Sequence, residues 1–497
     1  MNPSTLAASF MFNNTPSSSA ASSTMYRLAN FMEFFFVAHP DSGRKEGEES
    51  ERILYFDPAN ESLDKQTQIT GFAEAVVNFT NNFVDESEEN EAEFPFRYVN
   101  TSKQLHVYIL VESENFIMGI GMNKALCSMQ DYTLHAPTIK SVLITAYCMF
   151  RLFFGSFSQL IFVDKQRLKD RLKYFFSRYL SLLRLYQMPL VDLFRGVDFL
   201  PLDSVNYLRV ENLIGQLKEA FPQVAETMFL YQERLLSYSV PKSDLPVLFQ
   251  YLTQNLLHMS LRAELQPKNP GRHDAVHHQG RFLTGATDFP VEAMIAKAQE
   301  VKFPVVYFSD DEDHDKLTPF QLAFEWFLLQ IVYRALNASL CLFLRCSAEA
   351  SFLRDLDAML GPELSTIASQ IGDSYVTPAN ELSAEKDFHF LYYNPASLSL
   401  KTSFYEPTGE TARAVNVPAL PVCVYKLACD VVDEFLDDKD FGEVTVKSEP
   451  DWWISGKRTN GRLLLLIIHN PSFASLTEVQ QHVYSIIKTH FDSIFLT

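Results

Sequence analysis

Between Glu33 and Phe83 the chain alternates short apolar runs with polar connectors. Phe34 to Val37 and Ile53 to Phe56 are aromatic-rich runs of strand length, and the charged, Gly-containing connector between them reads as a long hairpin loop. Ile69, Phe72, Val76, Phe79 and Phe83 then recur at intervals of 3, 4, 3 and 4, which lines one face of a helix and leaves the other polar. Strand, strand, helix predicts a small α/β module whose sheet faces that helix.

The pattern continues in the same vein. Phe96 to Val99, His106 to Val111 and Phe116 to Gly119 read as strands. A helix is expected over Pro137 to Phe154, with Pro137 suited to its first turn. Gly155 to Asp164 interrupts it, and Lys165 to Leu183 is a second helix with Leu168, Leu172, Phe175, Tyr179 and Leu182 on one face. The first module is thus β-β-α-β-β-β-α-α. A similar order returns at Thr227 to Tyr231 and Leu235 to Val240, a hairpin followed by a helix over Asp244 to Leu257. Strands at Phe303 to Phe308, Trp326 to Val332 and Leu340 to Leu344 and a helix over Ala348 to Ile371 complete this pass. It returns again with a strand at Phe388 to Tyr393 and a helix at Val422 to Asp437. Strands at Val444 to Lys447, Trp452 to Ser455 and Leu463 to His469 follow, and a helix over Leu476 to His490 closes the chain. The repeat lies in element order, not in residue identity. His258 to Gly280, polar and containing Pro and His, reads as an inserted loop.

Composition narrows the function classes. At 497 residues about three domains are expected. A net charge of −19 disfavours a general nucleic-acid binder, because phosphate is repelled except at a local basic patch. The six cysteines have no Cys-x-x-Cys spacing, so buried thiols in a reducing compartment are expected. Residues 1–30 read as a disordered tail. Two apolar runs, Val142 to Val163 and Leu322 to Leu344, carry Arg151, and Glu325 with Arg334, near their centres; each such charge costs roughly 2.5–3.5 kcal/mol at mid-bilayer. Buried helices and strands are the expectation.

Candidate chemistry is sparse. Gly119 and Gly121 with Lys124 resemble part of a phosphate loop, yet the strand–loop–helix spacing is absent. Asp311, Asp313 and Asp315 begin like a calcium loop, but its sixth position is Lys316 and its twelfth Leu322. His273, His277 and His278 sit among Pro270, Gly271 and Gly280, with no rigid helix to present them to a metal. Lys165, Arg167, Lys169, Arg171, Lys173 and Arg178 make one helix basic in an acidic chain. Such a helix can lie on an anionic membrane. It can equally be a core helix whose solvated side is basic, its apolar stripe covering the sheet, and the two can coexist. Gly71 costs its helix about 1 kcal/mol relative to Ala, which close approach of another backbone, from a partner or from within the domain, would offset.

Six stretches carry a resemblance that spans nearly the whole chain beyond residue 30. They are ILYFDP at Ile53 to Pro58, GFAEAVVNFT at Gly71 to Thr80, FLPLD at Phe199 to Asp203, GRFLTG at Gly280 to Gly285, LGPEL at Leu360 to Leu364 and DWWISGK at Asp451 to Lys457. In their order and spacing they resemble the Ccz-type vacuolar fusion protein family, the caffeine, calcium and zinc sensitivity family. The Ser-rich extension to Asn30, the acidic tract Asp85 to Glu93 and the Asp-rich loop Asp310 to Asp315 depart from the family pattern.

The resemblance implies an α/β (α+β) fold of three longin-like domains, each a mostly antiparallel five-stranded sheet flanked by helices. The expected division is 31–187, 188–375 with a loop insertion at about 258–280, and 376–497. It implies a subunit that pairs with a Mon-type longin partner and exchanges guanine nucleotide on a late-endosomal or vacuolar Rab GTPase. That activity serves endosome maturation and autophagosome–lysosome and vacuolar fusion, from the cytoplasmic side of late endosomes and lysosomes. The activity makes no covalent bond and needs no cofactor; a longin scaffold or tether that recruits a GTPase without exchange is the alternative. Carried onto the first module, the resemblance makes Phe36, Tyr55 and Phe56 candidate apolar anchors, although strand alternation turns about half of them inward. Gly71, Glu74, Asn78 and Asn81, off the apolar stripe, are candidates to face the partner or GTPase. Lys165, Lys169 and Lys173 are the residues expected to face an anionic membrane.

Overall fold

The computed structural model of the chain describes residues 25–491 except 84–93, 113–115, 258–279, 284–287, 290–302, 310–326, 346–348, 376–387, 405–419 and the short gaps 44, 46, 439, 441, 449–450 and 473–474. β1 (Met25–Arg27) pairs with β7 (Arg184–Tyr186). β2 (Met32–Ala38), β3 (Ile53–Asp57), β4 (Phe96–Asn100), β5 (Gln104–Val111) and β6 (Phe116–Asn123) form a five-stranded antiparallel sheet of order β3-β2-β6-β5-β4. α1 (Leu63–Asn81) joins β3 to β4, and α2 (Lys124–Met129) and α3 (Ala136–Phe154) follow β6. Ser62 and Asn123 start α1 and α2 by accepting the N–H groups of Lys65 and Leu126, donors a helix leaves without an internal partner.

Both faces of this sheet are buried. Phe34, Phe36, Phe56, Tyr108 and Leu110 meet Ala73 and Val77 of α1. Phe35, Val37, Val107, Ile109, Met118 and Ile120 are buried on the other side. The Phe34, Phe36 and Phe56 rings lie 6.2–6.5 Å apart. Gly119 and Gly121 make room for them, because a Cβ at either would overlap the rings of Phe36 and Tyr108 or of Phe34. The Gly-Ile-Gly run is therefore a strand interior shaped by a ring stack.

The second sheet holds β8 (Val224–Tyr231), β9 (Arg234–Tyr238), β10 (Gly280–Leu283), β11 (Asp288–Phe289), β12 (Val305–Tyr307), β13 (Phe327–Ala335) and β14 (Ala338–Leu344). Its order is β11-β10-β13-β14-β8-β9, with β12 beside β13. The short β10 and β12 pair with different ends of β13, so together they fill one strand position. The third sheet holds β15 (Phe388–Asn394), β16 (Ser399–Thr402), β17 (Glu443–Ser448), β18 (Trp452–Thr459) and β19 (Arg462–His469), in the order β16-β15-β19-β18-β17. One plan recurs: the first strand of each module sits between the second and the last. The longin-like fold class is thus present three times, with β11 as an extra edge strand in the middle copy.

The remaining helices are α4 (Phe157–Val163), α5 (Lys165–Leu182), α6 (Pro189–Phe194), α7 (Ser204–Ala220), α8 (Leu245–Gln250, running on as a π-helical turn Tyr251–Leu257), α9 (Ala350–Tyr375), α10 (Val422–Asp437) and α11 (Leu476–His490). Three differ from expectation. The stretch after Phe154 is broken at Gly155, where φ is +82°, and again at the extended Asp164; between them Ser156 and Gln159 close a capping box that starts α4. α6 and α7 were not anticipated. The run Leu322 to Leu344 is, in its described part, the β13–β14 hairpin, and α3, long and apolar enough to cross a bilayer, is mostly buried in protein.

The chain gathers into two compact units, and α3 contributes its first half to one and its second half to the other. The unit of Thr145–Tyr179 and Val197–Pro378 contains the second sheet. α7 and α9 cover one face of that sheet with Val210, Leu213, Leu217, Leu353, Leu356 and Leu360. In the same unit Phe153 meets Tyr251 edge-on at 4.8 Å. The apolar side of α5 packs on α3, with Phe175 and Phe176 at 5.5 and 5.9 Å from Phe150. The expectation that this stripe covers the first sheet is corrected to helix-on-helix packing. The other unit contains the first and third sheets. α10 and α11 cover opposite faces of the third sheet. His135 Nε2 lies 2.8 Å from Asp433, and the Thr138 and Ser141 hydroxyls donate to the carbonyls of Pro189 and Leu193.

Candidate partner-binding surface

α1 is fastened at its middle and at its C-terminal end by polar contacts. Arg52, just before β3, forms a 2.8 Å ion pair with Glu74. Arg97 of β4 donates to the Thr80 hydroxyl at 2.7 Å and to Asn81 Oδ1 at 3.0 Å, placing a cation at the negative end of the helix. Glu74 and Asn81 are thereby engaged within the chain. Asn78 is exposed, and a Cβ at Gly71 would meet nothing within 4 Å. Among the described residues no backbone of this module approaches Gly71, and the partner half of that expectation stays open.

The face α1 turns to the sheet is not the one its periodicity suggested. Thr70, Ala73 and Val77 are buried, with Ile69 and Val76 beside them. Phe72, Phe79 and Phe83 are 47%, 65% and 74% exposed, and Leu63 is also exposed. The expectation that the Phe stripe packs on the sheet is corrected. The sheet presents large rings at this face, so only small side chains let the helix approach, and the stripe is left a little over a quarter turn away. The Phe79 and Phe83 rings meet at a tilt with centroids 5.0 Å apart, and Phe72 meets His106 edge-on at 6.2 Å. His106 is held by Gln104 at 2.8 Å and Tyr108 at 3.0 Å, and burial lowers its pKa against the pull of Glu33, so the ring beneath Phe72 is neutral.

Phe36, Tyr55 and Phe56 are all buried. The expectation that they serve as partner anchors is corrected: β2 is a central strand covered on both faces, and β3 shares its cover, so these rings fill the core. The exposed apolar side chains of this module include Phe72 and Phe79 of α1, read at first as core. Their signal was present in the sequence as bulky residues on a helix facing a sheet already rich in Phe.

Of the basic residues on α5, Lys173, Arg167 and Arg178 are exposed and Lys165, Lys169 and Arg171 half-buried. Helical spacing sets Lys165, Lys169 and Lys173 along one edge and Arg167, Arg171 and Arg178 along the other. Arg171 donates to the Phe154 carbonyl at 3.2 Å, and Arg178 lies 4.2 Å from the Tyr174 ring. Among the described residues no group of three or more His, Cys, Asp or Glu side chains is placed to hold a metal. His273, His277 and His278, and the Asp311, Asp313 and Asp315 loop, lie outside the described residues.

Comparison with known proteins matches the three modules one by one. Residues 32–155 match the family profile described as the first longin domain of INTU, CCZ1 and HPS4. Residues 224–361 and 384–486 match the Intu longin-like domains 2 and 3. The vacuolar fusion protein CCZ1 homolog of Xenopus laevis is 30% identical over 493 residues, covering 94% of this chain and 98% of the relative. Those of Danio rerio and Nematostella vectensis are 28% and 26% identical, covering 93% and 96% of this chain and 95% and 99% of theirs. With three longin modules in series and similarity running end to end, the chain belongs to the CCZ1 family of vacuolar fusion proteins.

Proposed function

We propose that this chain is one subunit of a heteromeric guanine-nucleotide exchange factor for a late-endosomal or vacuolar Rab GTPase, acting only with a Mon-type longin partner. It works at the cytoplasmic face of late endosomes and lysosomes, in endosome maturation and in autophagosome and vacuolar fusion. The observation that carries the reading is the uncovered Phe72, Phe79 and Phe83 stripe beside open space over Gly71. An aromatic stripe of this kind on a firmly anchored helix suits a protein partner rather than water. The reading also needs no reacting group. An exchange factor binds the nucleotide-free GTPase more tightly than the loaded one and so shifts its population, which asks for a broad preorganised surface.

The test is a nucleotide-release assay with a labelled GDP-loaded GTPase. The chain alone should leave release slow, and the chain with its partner should accelerate it. Phe79→Asp, at an exposed position, should leave the chain folded, abolish co-purification with the partner and return release to the basal rate. A well-folded pair that gives no acceleration refutes exchange, and selective capture of the GTP-loaded form in that case identifies a tether.

A further inference from the structure

The sequence reading turns Lys165, Lys169 and Lys173 toward an anionic membrane without saying which folded surface meets it. We propose that the corner where α4 meets α5 is that surface: Phe162 and Val163 insert among the acyl chains of an anionic bilayer while Lys165, Lys169 and Lys173 lie over its phosphates. The proposal rests on the membrane part of the functional reading and not on nucleotide exchange.

Phe162 is 70% exposed and Val163 53%, although Phe157 and Leu160 of the same short helix are buried. The pair is held in place rather than loose. The capping box of Ser156 and Gln159 fixes the start of α4, and the Asp164 N–H donates to the Leu160 carbonyl at its end. Immediately beyond, α5 turns Leu168, Leu172, Phe175 and Phe176 inward. From Asp164 to Arg178 six basic residues stand against Asp164 and Asp170, in a chain whose net charge is −19. The cationic exception therefore coincides with two adjacent bulky apolar side chains in water. Charge complementarity selects an anionic occupant, and the apolar pair selects one with a hydrocarbon interior. An acidic protein would satisfy the cations but has no particular use for Phe162 and Val163 together.

The full chain is mixed with phosphatidylcholine vesicles, or with vesicles containing 30% phosphatidylserine by composition (roughly the anionic fraction at which such cations bind), and sedimented. Binding is expected to the anionic vesicles only and to weaken as salt is raised. Phe162→Ser should lower the partition constant about tenfold. Lys165→Glu/Lys169→Glu/Lys173→Glu should lower it at least about a hundredfold. Phe162→Trp should show a blue-shifted emission on anionic vesicles alone. Three results overturn the proposal: no binding by the parent chain, equal binding to neutral vesicles, or retention of full binding by Phe162→Ser. If the last occurs while the lysine variant loses binding, the surface is purely electrostatic and suits an acidic protein. All variants are also run in the vesicle-free release assay with the partner subunit, where none should change the rate. Loss of vesicle binding with release intact separates this surface from the exchange surface.

Discussion

Asp244 lies at the start of α8 and is the most consequential buried charge among the described residues of its unit. Its carboxylate accepts from Arg151 Nη2 at 3.0 Å, from the Ser309 backbone N–H at 2.7 Å and from the Ser309 hydroxyl at 2.8 Å. The side chains of Asp244 and Arg151 are 3% and 17% exposed. Asp244→Ala leaves a guanidinium that cannot shed its proton in a nearly dry site, and removes the acceptor of the Ser309 N–H. Breaking one side of such a pair costs about 3–5 kcal/mol, and an orphaned backbone donor about 1–3 kcal/mol. The two share one carboxylate and do not add, so the expected loss is about 4 kcal/mol. Arg151→Met should cost clearly less. Asp244 keeps both Ser309 donors, and burial already pushes its carboxyl pKa up against Arg151, so it can take up a proton instead. Hydrogen exchange of peptides covering Thr145 to Phe154 and α8 reads the site directly, and protection there should fall about a thousandfold in Asp244→Ala. A loss below about 1 kcal/mol, or strict additivity of the two substitutions in a double-mutant cycle, would show that the pair is not coupled and refute the argument.

Gly121→Ala sets a methyl into the Phe34 ring and should destabilise the first sheet by about 1–3 kcal/mol, read as a lower Tm; an unchanged Tm would mean that the ring stack has slack. Gly71→Ala, with open space above it, should stabilise the isolated chain by about 0.5–1 kcal/mol, whereas Gly71→Trp should leave circular dichroism intact and impair co-purification with the partner. Loss of hydration on burial raises the Asp192 carboxyl to about 8, with the Tyr186 N–H, at 2.8 Å, pulling it down. Its folded pKa then lies above the unfolded one, so the folded state holds the extra proton between about pH 4 and 8 and loses stability as pH rises through that window. Asp192→Asn should flatten the fall in Tm between pH 6 and 8.5, and parallel curves for the two proteins would exclude Asp192 as the cause.

How much was legible follows from what each signal measures. The strands Phe34 to Val37 and Ile53 to Phe56 were readable because runs of β-branched and aromatic residues between turn signals have few other uses. The closing helix from Leu476 to His490 was equally plain, with its buried Val479, Val483, Ile486 and Ile487 at helical spacing. α7 went unread because Asn206, a polar residue on its buried face, interrupts the apolar pattern, and only its neighbour Ser374 explains it. The expected anchors failed for a related reason. An aromatic residue on a strand has the same pattern whether one or both faces of the sheet are covered.

From its sequence alone, then, this chain sets the existence, type and order of most of its elements, the threefold return of one module and membership in its family. Those properties depend on local periodicity and turn chemistry, which neighbouring residues carry by themselves. Which stripe of α1 is buried was settled only in the folded protein, where a sheet face crowded with phenyl rings admits Ala73 and Val77 and turns Phe72 and Phe79 outward. Packing is a property of two surfaces at once, and a linear pattern describes only one of them.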